Sequence, residues 1–472
     1  MSEALWTPDE LKETLGAPTS APAAPIRGVS IDTRTLQAGD LFFAIKGDAS
    51  DGHAYVERAF AAGAAAAVVA RDKAEALADH GALFAVDDTL RAIERLGAMA
   101  RRRTKARIAA VTGSVGKTSA KEMLRVVLSK VGATHAAAAS YNNHWGVPLT
   151  LARMPASAAF GVFEIGMNHA GEITPLVALV RPHAALVTAI APVHIEHLGS
   201  LEAIAEAKAE IFTGLEPGGA AILPRDAPQF DLLRRRAEAA GARIATFGAG
   251  READARLVEC RPQSRGSHVE ARIFGRSIVF ELGAPGLHMA QNALGVVLVA
   301  HALGVEIEAS AAALADFAPA KGRGERIILH AKDGAVTLID ESYNANPASM
   351  RAALDLLGAA EPGRGGRRIA ALGDMLELGP QGPAMHVALA ADLARNRVDL
   401  LFCAGPLMRG LYETAPQAMR GAWAAKAVDI EKPLFDALRG GDVVMVKGSN
   451  GSRMGPVVAA LKTNFSGDAS AA

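Results

Sequence analysis

The sequence predicts an α/β protein of three domains, each built around its own sheet. The chain has 472 residues, which is more than one hydrophobic core ordinarily accommodates, so two or three domains are expected. Short apolar stretches with the length of buried strands alternate with amphipathic helical segments through most of the chain. Such alternation is typical of mostly parallel sheets with helices on both faces.

The composition argues against several classes of protein. Lysine plus arginine equals aspartate plus glutamate at 50 each, a balance that disfavours a protein that coats nucleic acid. Cys260 and Cys403 lie far apart without metal-site spacing, so they are interpreted as thiols in a reducing compartment. No apolar run reaches the ~18 residues of a membrane-spanning helix, and residues 1–15 lack the features of a signal peptide. We therefore expect a cytoplasmic protein without a membrane span.

The first domain is expected at residues 1–104, as a small α/β unit. Its pattern predicts a short helix within residues 1–25, a helix at 54–62 and strands at 28–32, 40–45 and 65–69. The basic run Arg101-Arg102-Arg103 falls at the boundary with the next domain. We interpret it as the solvated end of a helix, where the helix dipole favours cations.

The second domain is expected at residues 105–316 and the third, a doubly wound Rossmann-like unit, at 317–472. In the second, apolar runs predict strands at 107–111, 161–165, 184–190 and 220–223. The segment 257–282 alternates apolar and polar residues instead, which predicts an antiparallel hairpin with one solvated face. In the third, strands are predicted at 336–339, 368–372, 400–403 and 442–446.

A glycine-rich turn follows the strand at 107–111, with the sequence Thr112-Gly113-Ser114-Val115-Gly116-Lys117-Thr118-Ser119. We call residues 112–119 the phosphate loop. Strand, glycine turn and helix start form an anion cradle, because glycines let backbone N–H groups approach and the helix N-terminus adds partial positive charge. Lys117 would reach the outer phosphates of a nucleotide, and Thr118 would present its hydroxyl to Mg²⁺.

The early glycine of this loop is displaced relative to the usual spacing, so the pattern is a shortened variant. The alternative is a turn that merely joins strand to helix. We favour the cradle, since Gly-Lys-Thr-Ser follows an apolar strand and opens an amphipathic segment. The second domain is therefore predicted to be P-loop ATPase-like, with a parallel sheet.

Polar residues at the carboxyl ends of the central strands are further candidates, since ligands of open α/β sheets bind beyond those ends. Glu164 stands in an apolar strand, where a carboxylate is costly to bury unless it is paired or bound to a cation. Mg²⁺ would suit it, and a salt bridge to a neighbouring strand is the alternative. His194 follows the next strand, close to Glu196 and His197, which favours a metal or phosphate role over an ordinary surface position.

Lys208 interrupts the apolar face of the helix that follows Ser200. It lies on the stripe of Ile204 and Ile211, where an unpaired charged lysine is almost never fully buried. Its aliphatic stem could snorkel to solvent. Alternatively its pKa is low enough for the neutral amine to react with CO2, and the carbamate could ligate a second Mg²⁺. The spacing alone does not decide between these two interpretations.

In the third domain, hydrogen-bonding side chains crowd directly after predicted strands. These sets are Asp340-Glu341-Ser342-Tyr343-Asn344-Ala345-Asn346-Pro347, Gly373-Asp374-Met375-Leu376-Glu377-Leu378-Gly379 and Lys447-Gly448-Ser449. Each set could be a plain turn. Each could also face a nucleotide across a cleft, because the carboxyl ends of parallel strands share one edge of the sheet.

Together these stretches resemble the Mur ligase family, ATP-dependent enzymes that form amide bonds in peptidoglycan precursors. The resemblance covers nearly the whole chain, from Ile31 to about Met454. The phosphate loop matches the family's shortened cradle, and Asn142-Asn143-His144-Trp145-Gly146-Val147-Pro148 resembles its asparagine–glycine–proline turn. The stretches 340–347 and 372–379 resemble those of the member that adds a D-alanyl-D-alanine dipeptide.

The resemblance implies roles for residues in all three domains. The implied catalytic residues are Lys117, Lys208 and His194, with Lys208 carbamylated. The implied ligands of two Mg²⁺ ions are Thr118, Glu164, His194 and Lys208. The implied ATP-binding residues are Gly113, Ser114, Val115, Gly116, Lys117, Thr118, Ser119, Asn292, Arg323, Asp340 and Glu341. Those implied for the UDP-linked substrate are Asp32, Thr33, Arg34, Lys46, Gly47, Asp51, His53, Asn142 and Asn143.

As activity, the resemblance implies that a monomeric enzyme joins D-alanyl-D-alanine to a UDP-N-acetylmuramoyl-tripeptide at the expense of ATP. The terminal carboxylate of the tripeptide would attack the γ-phosphoryl group, giving an acyl phosphate and ADP. The amine of the dipeptide would then displace phosphate through a tetrahedral intermediate. Closure of the third domain, which would bind the dipeptide, is expected to shield the acyl phosphate from water.

Three other functions fit part of the pattern. A ligase that adds a single diamino acid would carry an Asp-Asn-Pro-Arg stretch, which the sequence lacks. A folylpolyglutamate-type ligase shares the phosphate loop but not the stretch 372–379. A nucleotide-dependent switch would leave Lys208 unexplained, and the guanine-specific Asn-Lys-x-Asp pattern is absent from the sequence.

Overall fold

Short apolar runs become buried strands, as the sequence predicts, and these strands pair into three sheets within the described residues. The computed structural model describes residues 4–22, 24–47, 50–193, 195–263 and 266–465. The predicted α/β class and the three-domain organisation are confirmed. No helix in this described part of the chain is both long enough and apolar enough to traverse a bilayer.

The N-terminal sheet is parallel throughout, and its strands lie in chain order. They are β1 (Gly28–Ser30), β2 (Asp40–Phe43), β3 (Ala66–Ala70) and β4 (Leu83–Val86). The helices are α1 (Pro8–Leu15), α2 (Val56–Ala61), α3 (Ala74–Leu77) and α4 (Thr89–Arg103). Helices cover both faces of the sheet, so β2 is buried along its whole length.

The central sheet carries the phosphate loop. Its strands are β5 (Arg107–Thr112), β6 (Thr134–Ala136), β7 (Phe160–Glu164), β8 (Ala184–Val187), β9 (Ala220–Pro224), β10 (Arg243–Gly248), β11 (Ala255–Pro262), β12 (Ser267–Ile273) and β13 (Arg276–Leu282). The helices are α5 (Lys117–Ser129), α6 (Gly146–Ala152), α7 (Ile173–Val180), α8 (Ile195–Leu198), α9 (Leu201–Ala209), α10 (Phe230–Ala239), α11 (Leu287–Ala302) and α12 (Ile307–Ala313).

The order β13-β12-β11-β10-β9-β8-β5-β7-β6 places β5 between β7 and β8. In the parallel register Val111 lies beside Glu164, and Thr112 lies beside Val187. The phosphate loop and the carboxylate at the end of β7 therefore leave the sheet at the same edge.

The alternating segment at 257–282 extends further than the predicted hairpin. It forms the antiparallel strands β11, β12 and β13, which continue the parallel sheet at one side. The predicted solvated face is confirmed, since Val258 and Val279 point outward and are exposed while Val269 is buried. The prediction of a single hairpin was wrong because the Phe274-Gly275 turn, which has positive φ at both residues, adds a strand.

The C-terminal sheet is parallel except at β14, which pairs antiparallel with β15. Its strands are β14 (Glu325–Ala331), β15 (Gly334–Glu341), β16 (Arg368–Gly373), β17 (Leu400–Ala404), β18 (Arg420–Ala424) and β19 (Val443–Lys447). The helices are α13 (Pro347–Gly358), α14 (Gly382–Val387), α15 (Leu389–Arg395), α16 (Met408–Thr414), α17 (Glu431–Ala437) and α18 (Met454–Asn464). In the order β14-β15-β19-β16-β17-β18, the polar stretches after β15, β16 and β19 meet at one edge.

Arg101 ties the first domain to the second. The guanidinium donates to Val180 O and Arg181 O, each at 2.8 Å, and lies 3.1 Å from Glu216 Oε1. Burial is the main cause that lowers the pKa of Arg101. The interpretation of residues 101–103 as a solvated helix end was therefore wrong for Arg101, because tertiary contacts outweigh the helix dipole there.

Replacing Arg101 with methionine should lower the free energy of unfolding by about 2 kcal/mol, because two carbonyl oxygens lose a buried donor. The matched control is R102M, since Arg102 is the exposed neighbour on the same helix and its loss should cost less than ~0.5 kcal/mol. Urea unfolding followed by circular dichroism measures both variants. Equal unfolding free energies for R101M and R102M would contradict this role of Arg101.

Candidate active site

The phosphate loop is shaped by two glycines in left-handed backbone conformations. Gly113 has φ 147° and Gly116 has φ 84°, values that strain any residue with a side chain. A Cβ on Gly116 would also lie 2.6–2.9 Å from the amide nitrogen and oxygen of Asn292, so Asn292 packs directly against the loop. Lys117 Nζ donates to Gly113 O at 2.6 Å and folds back over the same loop.

The segment that follows β8 fixes the loop from the other side. Ser114 Oγ donates to Ala191 O at 2.9 Å and accepts from Ala191 N at 3.0 Å. Thr188 Oγ1 lies 2.5 Å from Val115 O, to which it can donate. The hydroxyl of Ser114, a residue predicted as an ATP contact, thus holds the loop against Ala191. Ser114 also lines the cavity described below.

Glu164 lies at the end of β7 and is buried. Thr118 Oγ1 donates to its Oε2 at 2.8 Å, and Asn142 Nδ2 donates to its Oε1 at 2.8 Å. Ser140 Oγ completes the group at 3.2 Å from Thr118 Oγ1. The structure thus places Asn142, which was predicted for the UDP-linked substrate, beside the predicted metal ligand Glu164.

These oxygen atoms suit a hard cation such as Mg²⁺, which prefers oxygen ligands and retains several waters or phosphate oxygens. Within the described residues no three His, Cys, Asp or Glu side chains converge as a metal cage. An ion here would rest on Glu164, hydroxyls and ligand phosphates, which is how Mg²⁺ is usually held. His194, predicted as a further ligand, lies outside the described residues.

Lys208 is buried in α9, with 2% of its surface exposed. A snorkelling stem is therefore excluded, because that interpretation requires the ammonium group to reach water. Burial, and secondarily the nearby charge of Lys117, hold the pKa of Lys208 well below its usual range. The pKa of Lys117 is lowered as well, first by burial and then by Arg323.

A cavity of about 520 Å³ lies between the central and C-terminal domains. The central domain contributes the phosphate loop from Ser114 to Ser119, Asn142, Glu164 and Asn292 to its lining. The C-terminal domain contributes Arg323, Glu341, Tyr343, Asn344 and Lys447. Most of the residues predicted to bind ATP therefore come together around one cavity.

Arg323 lies where the two domains meet. Its guanidinium carbon is 3.9 Å from the centre of the Tyr343 ring, a cation–π contact, and its Nη2 is 3.5 Å from Ser140 Oγ. The arginine thus bridges the C-terminal domain and the group around Glu164. Its charge also reaches Lys117, whose pKa it lowers after the larger effect of burial.

The two acidic residues at the end of β15 have different environments. Asp340 Oδ1 accepts from Ser342 N at 3.1 Å and from Ser342 Oγ at 2.6 Å, so this carboxylate shapes the turn. Glu341 lines the cavity, and its Oε2 accepts from Lys447 Nζ at 3.2 Å. Of the two, Glu341 is the one that faces the predicted nucleotide.

The stretch at 372–379 is held by its own domain. Asp374 Oδ1 accepts from Met408 N at 2.8 Å at the start of α16, and burial raises the pKa of this carboxyl. Met375 N donates to His386 Nε2 at 2.9 Å, which requires the opposite ring nitrogen to donate to Gly382 O. These contacts leave Leu376 exposed at the surface of the turn.

Protection of the Met375 amide against hydrogen exchange should fall as the pH drops below about 6.5, because a protonated His386 cannot accept its bond. Burial lowers the pKa of His386, so the unfolded chain binds the proton first and the folded domain loses stability as pH falls through that range. Hydrogen exchange of a peptide spanning Met375, corrected for intrinsic rates, measures this between pH 7.5 and 5.5. The variant H386L should remove the pH dependence, and a wild-type profile without any slope would contradict the assignment.

The first-domain residues predicted for the UDP-linked substrate follow β1 and β2, at the carboxyl ends of adjacent parallel strands. Asp32 and Arg34 form a two-bonded ion pair in the first of these turns, where Thr33 lies between them. In the second turn Lys46, which directly precedes Gly47, pairs through its backbone with Asp51.

His53 and Asn143, two further members of this predicted set, also carry internal hydrogen bonds. His53 Nε2 accepts from Ala70 N at 2.9 Å, and its Nδ1 donates to Asp51 Oδ1 at 2.6 Å. Asn143 Oδ1 accepts from Gly146 N at 3.0 Å at the start of α6. These two side chains therefore hold the backbone around them.

Other cavity residues were missed in the sequence. Ser140 gave no signal, because it stands in a loop of ordinary polarity. Tyr343 and Lys447 stood in the polar stretches, but no role was predicted for them. His288 also lines the cavity, at the start of α11.

Comparison with known proteins agrees with this arrangement. Family models match in three consecutive blocks, the Mur ligase family catalytic domain at 25–112, the Mur ligase middle domain at 111–300 and the Mur ligase glutamate ligase domain at 322–450. The chain is 34% identical over 436 residues to UDP-N-acetylmuramoyl-tripeptide–D-alanyl-D-alanine ligase of Bacillus subtilis, with 92% of each chain covered. The Escherichia coli protein of that name is 34% identical over 460 residues, covering 97% of this chain and 98% of the relative.

The similarity extends to three dimensions. A crystal structure of MurF from Acinetobacter baumannii aligns with a TM-score of 0.83 at 30% identity, covering 97% of this chain and 99% of that one. The domain order, the phosphate loop and the cavity between the second and third domains are thus accompanied by similarity over almost the whole length. The resemblance inferred from the sequence is confirmed, and the chain belongs to the Mur ligase family.

Proposed function

We propose that this protein uses ATP to join D-alanyl-D-alanine to a UDP-N-acetylmuramoyl-tripeptide, releasing ADP and phosphate. The observation that carries the proposal is the cavity in which the phosphate loop meets Arg323 and Glu341 of the C-terminal domain. A nucleotide there would touch both domains, as a ligase that closes over ATP requires. The names of the relatives that match over more than nine-tenths of the chain support the identity of the two substrates.

Two Mg²⁺ ions are part of this proposal. Thr118 and Glu164 would hold one, with His194, and a carbamate on Lys208 would hold the other. The oxygen donors around Glu164 fit such an ion. When bound, the ions would offset the negative charge that the phosphates and the substrate carboxylate bring together.

Carbamylation of Lys208 is supported by its environment. The neutral amine, which burial favours here, is the form that reacts with CO2. The reaction would turn this neutral buried amine into a carbamate anion near Lys117, with release of one proton. The carbamate anion would attract the ammonium group of Lys117, whose charge helps to keep the unmodified Lys208 neutral.

The chain's own residues would act on charge and position rather than as nucleophiles. The tripeptide carboxylate attacks the γ-phosphoryl group, while Lys117 and Arg323 stabilise the charge that develops on its oxygens. The dipeptide amine then attacks the acyl phosphate and phosphate leaves. Enclosure between two domains keeps water from the acyl phosphate.

We further propose the division of labour among the domains. Residues 1–104 would bind the UDP-linked substrate, residues 105–316 ATP, and residues 317–472 the dipeptide. One chain supplies all three domains, so a monomer would suffice for this division. A substrate set of nucleotide-linked precursors and ATP supports a cytoplasmic location.

An ADP-release assay tests the proposed function. ADP should appear only when ATP, the UDP-tripeptide and D-alanyl-D-alanine are all present, and mass spectrometry should show the UDP-pentapeptide. Parallel assays with lysine and diaminopimelate as third residue establish which tripeptide is used. ADP release that does not require both substrates would refute the ligase and favour a nucleotide switch.

A further inference from the structure

Lys121 is a second buried lysine, and the chemistry described above does not use it. It lies on α5, one turn after Lys117, with 0% of its surface exposed. A buried ammonium group costs several kcal/mol unless it is paired and hydrogen-bonded. A methionine of similar length would fill the same space without that cost, so the charge at this position needs a reason.

The partners of Lys121 point to one segment. Its Nζ donates to Ala137 O at 2.7 Å and lies 2.8 Å from Glu122 Oε1. Ala137 directly follows β6, the edge strand of the central sheet, which is three residues long and pairs only with β7 in the described part of the chain. The hydrogen bond therefore ties the helix of the phosphate loop to the point where the chain leaves the sheet.

The segment that starts at Ala137 supplies side chains to the site. Ser140 Oγ lies 3.2 Å from Thr118 Oγ1, and Asn142 Nδ2 donates to Glu164. Asn142 O also accepts from Gly166 N at 2.8 Å, which fixes the far end of the segment. Lys121 holds the near end at Ala137, which lies three residues before Ser140.

We propose that Lys121 is a positioning residue that holds the segment 137–142 against α5, so that Ser140 and Asn142 meet Thr118 and Glu164. Lys121 acts on the group around Glu164 through its hydrogen bond to the backbone of Ala137, without contact to a substrate. This inference rests on the proposed function for its kinetic consequences, and on the contacts above for its structural ones.

The test compares K121M with K130M, whose lysine is exposed at the end of the same helix. In the ADP-release assay, K121M should raise the Mg²⁺ concentration for half-maximal activity by about tenfold, as loss of an outer support of a metal ligand does. The KM for D-alanyl-D-alanine should stay within about twofold, and K121R should restore part of the Mg²⁺ response. K130M should behave as wild type. An unchanged Mg²⁺ response in folded K121M would overturn the proposal.

A double-mutant cycle separates positioning from general stability. Because Lys121 acts through Asn142 and its segment, the effect of K121M should shrink in an N142A background, whereas an independent structural effect would add. Additive effects would count against the proposal. If K121M does not fold, K121R carries the test, and normal Mg²⁺ dependence with a reduced kcat would then contradict the proposed role.

Hydrogen exchange keeps this inference separate from the proposed function. Amides of residues 138–143 should lose protection in K121M, or in K121R, without any substrate present. If the wild type fails to release ADP with both substrates, the proposed function fails while this measurement still tests Lys121. Unchanged protection of 138–143 would overturn the positioning role even in an active ligase.

Discussion

Replacing Lys208 with alanine should lower the rate of substrate-dependent ADP release by about 10²- to 10³-fold, the usual cost of removing one preorganised charge from an active site. The residue is buried, and burial holds its pKa well below the usual range. The neutral amine can therefore take up CO2, and the resulting carbamate would place a negative charge near Lys117. Alanine removes both the amine and the carbamate.

A short carboxylate separates this mechanism from loss of packing. Acetate or formate can supply the missing anion to the space left by the side chain, so part of the activity of K208A should return with rising carboxylate concentration. The matched control is K432A, because Lys432 is exposed on α17 and does not line the cavity. Circular dichroism shows whether K208A is folded. Near wild-type activity of K208A without additives would refute the carbamate.

The sequence predicted those parts of the fold that depend on local pattern. The strands predicted from apolar runs lie within a few residues of observed strands, because a strand covered on both faces excludes polar side chains. The strands β4 and β10 were not predicted. The phosphate loop and Glu164 were also identified from the sequence, because glycines at a strand end and a carboxylate in an apolar run are local signals. Lys208 followed from its place on an apolar helical stripe.

Contacts between distant segments were beyond such patterns. Arg101 bonds to carbonyls about eighty residues away, so its basic neighbours and the helix end suggested solvent instead. The alternation of apolar and polar residues at 257–282 predicted a hairpin. Alternation alone does not show how many turns interrupt the segment, so the additional strand was not predicted. Lys121 lies on the stripe of Leu124 and Leu128 and carries the same signal as Lys208, yet no role was predicted for it.

The proposed function depends on residues that different elements bring to one edge of the central sheet. Thr118 begins a helix, Glu164 ends a strand and Asn142 stands in a loop, and each looks ordinary in isolation. Sequence order could not reveal that Asn142 joins Glu164, because that contact depends on β7 lying beside β6 and β5. Asn142, which was predicted for the UDP-linked substrate, lies beside Glu164 and lines the cavity between the second and third domains.

Replacing Glu164 with glutamine should lower kcat by about 10²-fold and raise the Mg²⁺ concentration needed for half-maximal activity. The substitution removes a negative charge with almost no change of volume. Thr118 can still donate to the amide oxygen, and Asn142 can turn its own amide so that its oxygen meets the new nitrogen. Stability should therefore change little while the metal response changes greatly.

E164Q is informative because its rate and its Mg²⁺ response are measured together. The matched control E206Q replaces a carboxylate that is paired with Arg236 on the surface, and it should leave both the metal response and the rate near wild type. Raising Mg²⁺ should recover part of the rate in E164Q if the carboxylate holds the ion. If E164Q instead loses activity with an unchanged Mg²⁺ midpoint, Glu164 acts as a structural acceptor for Thr118 and Asn142, and the metal must be held elsewhere. The two outcomes differ because a ligand changes the affinity for the ion, whereas a structural acceptor changes only the rate at saturating Mg²⁺.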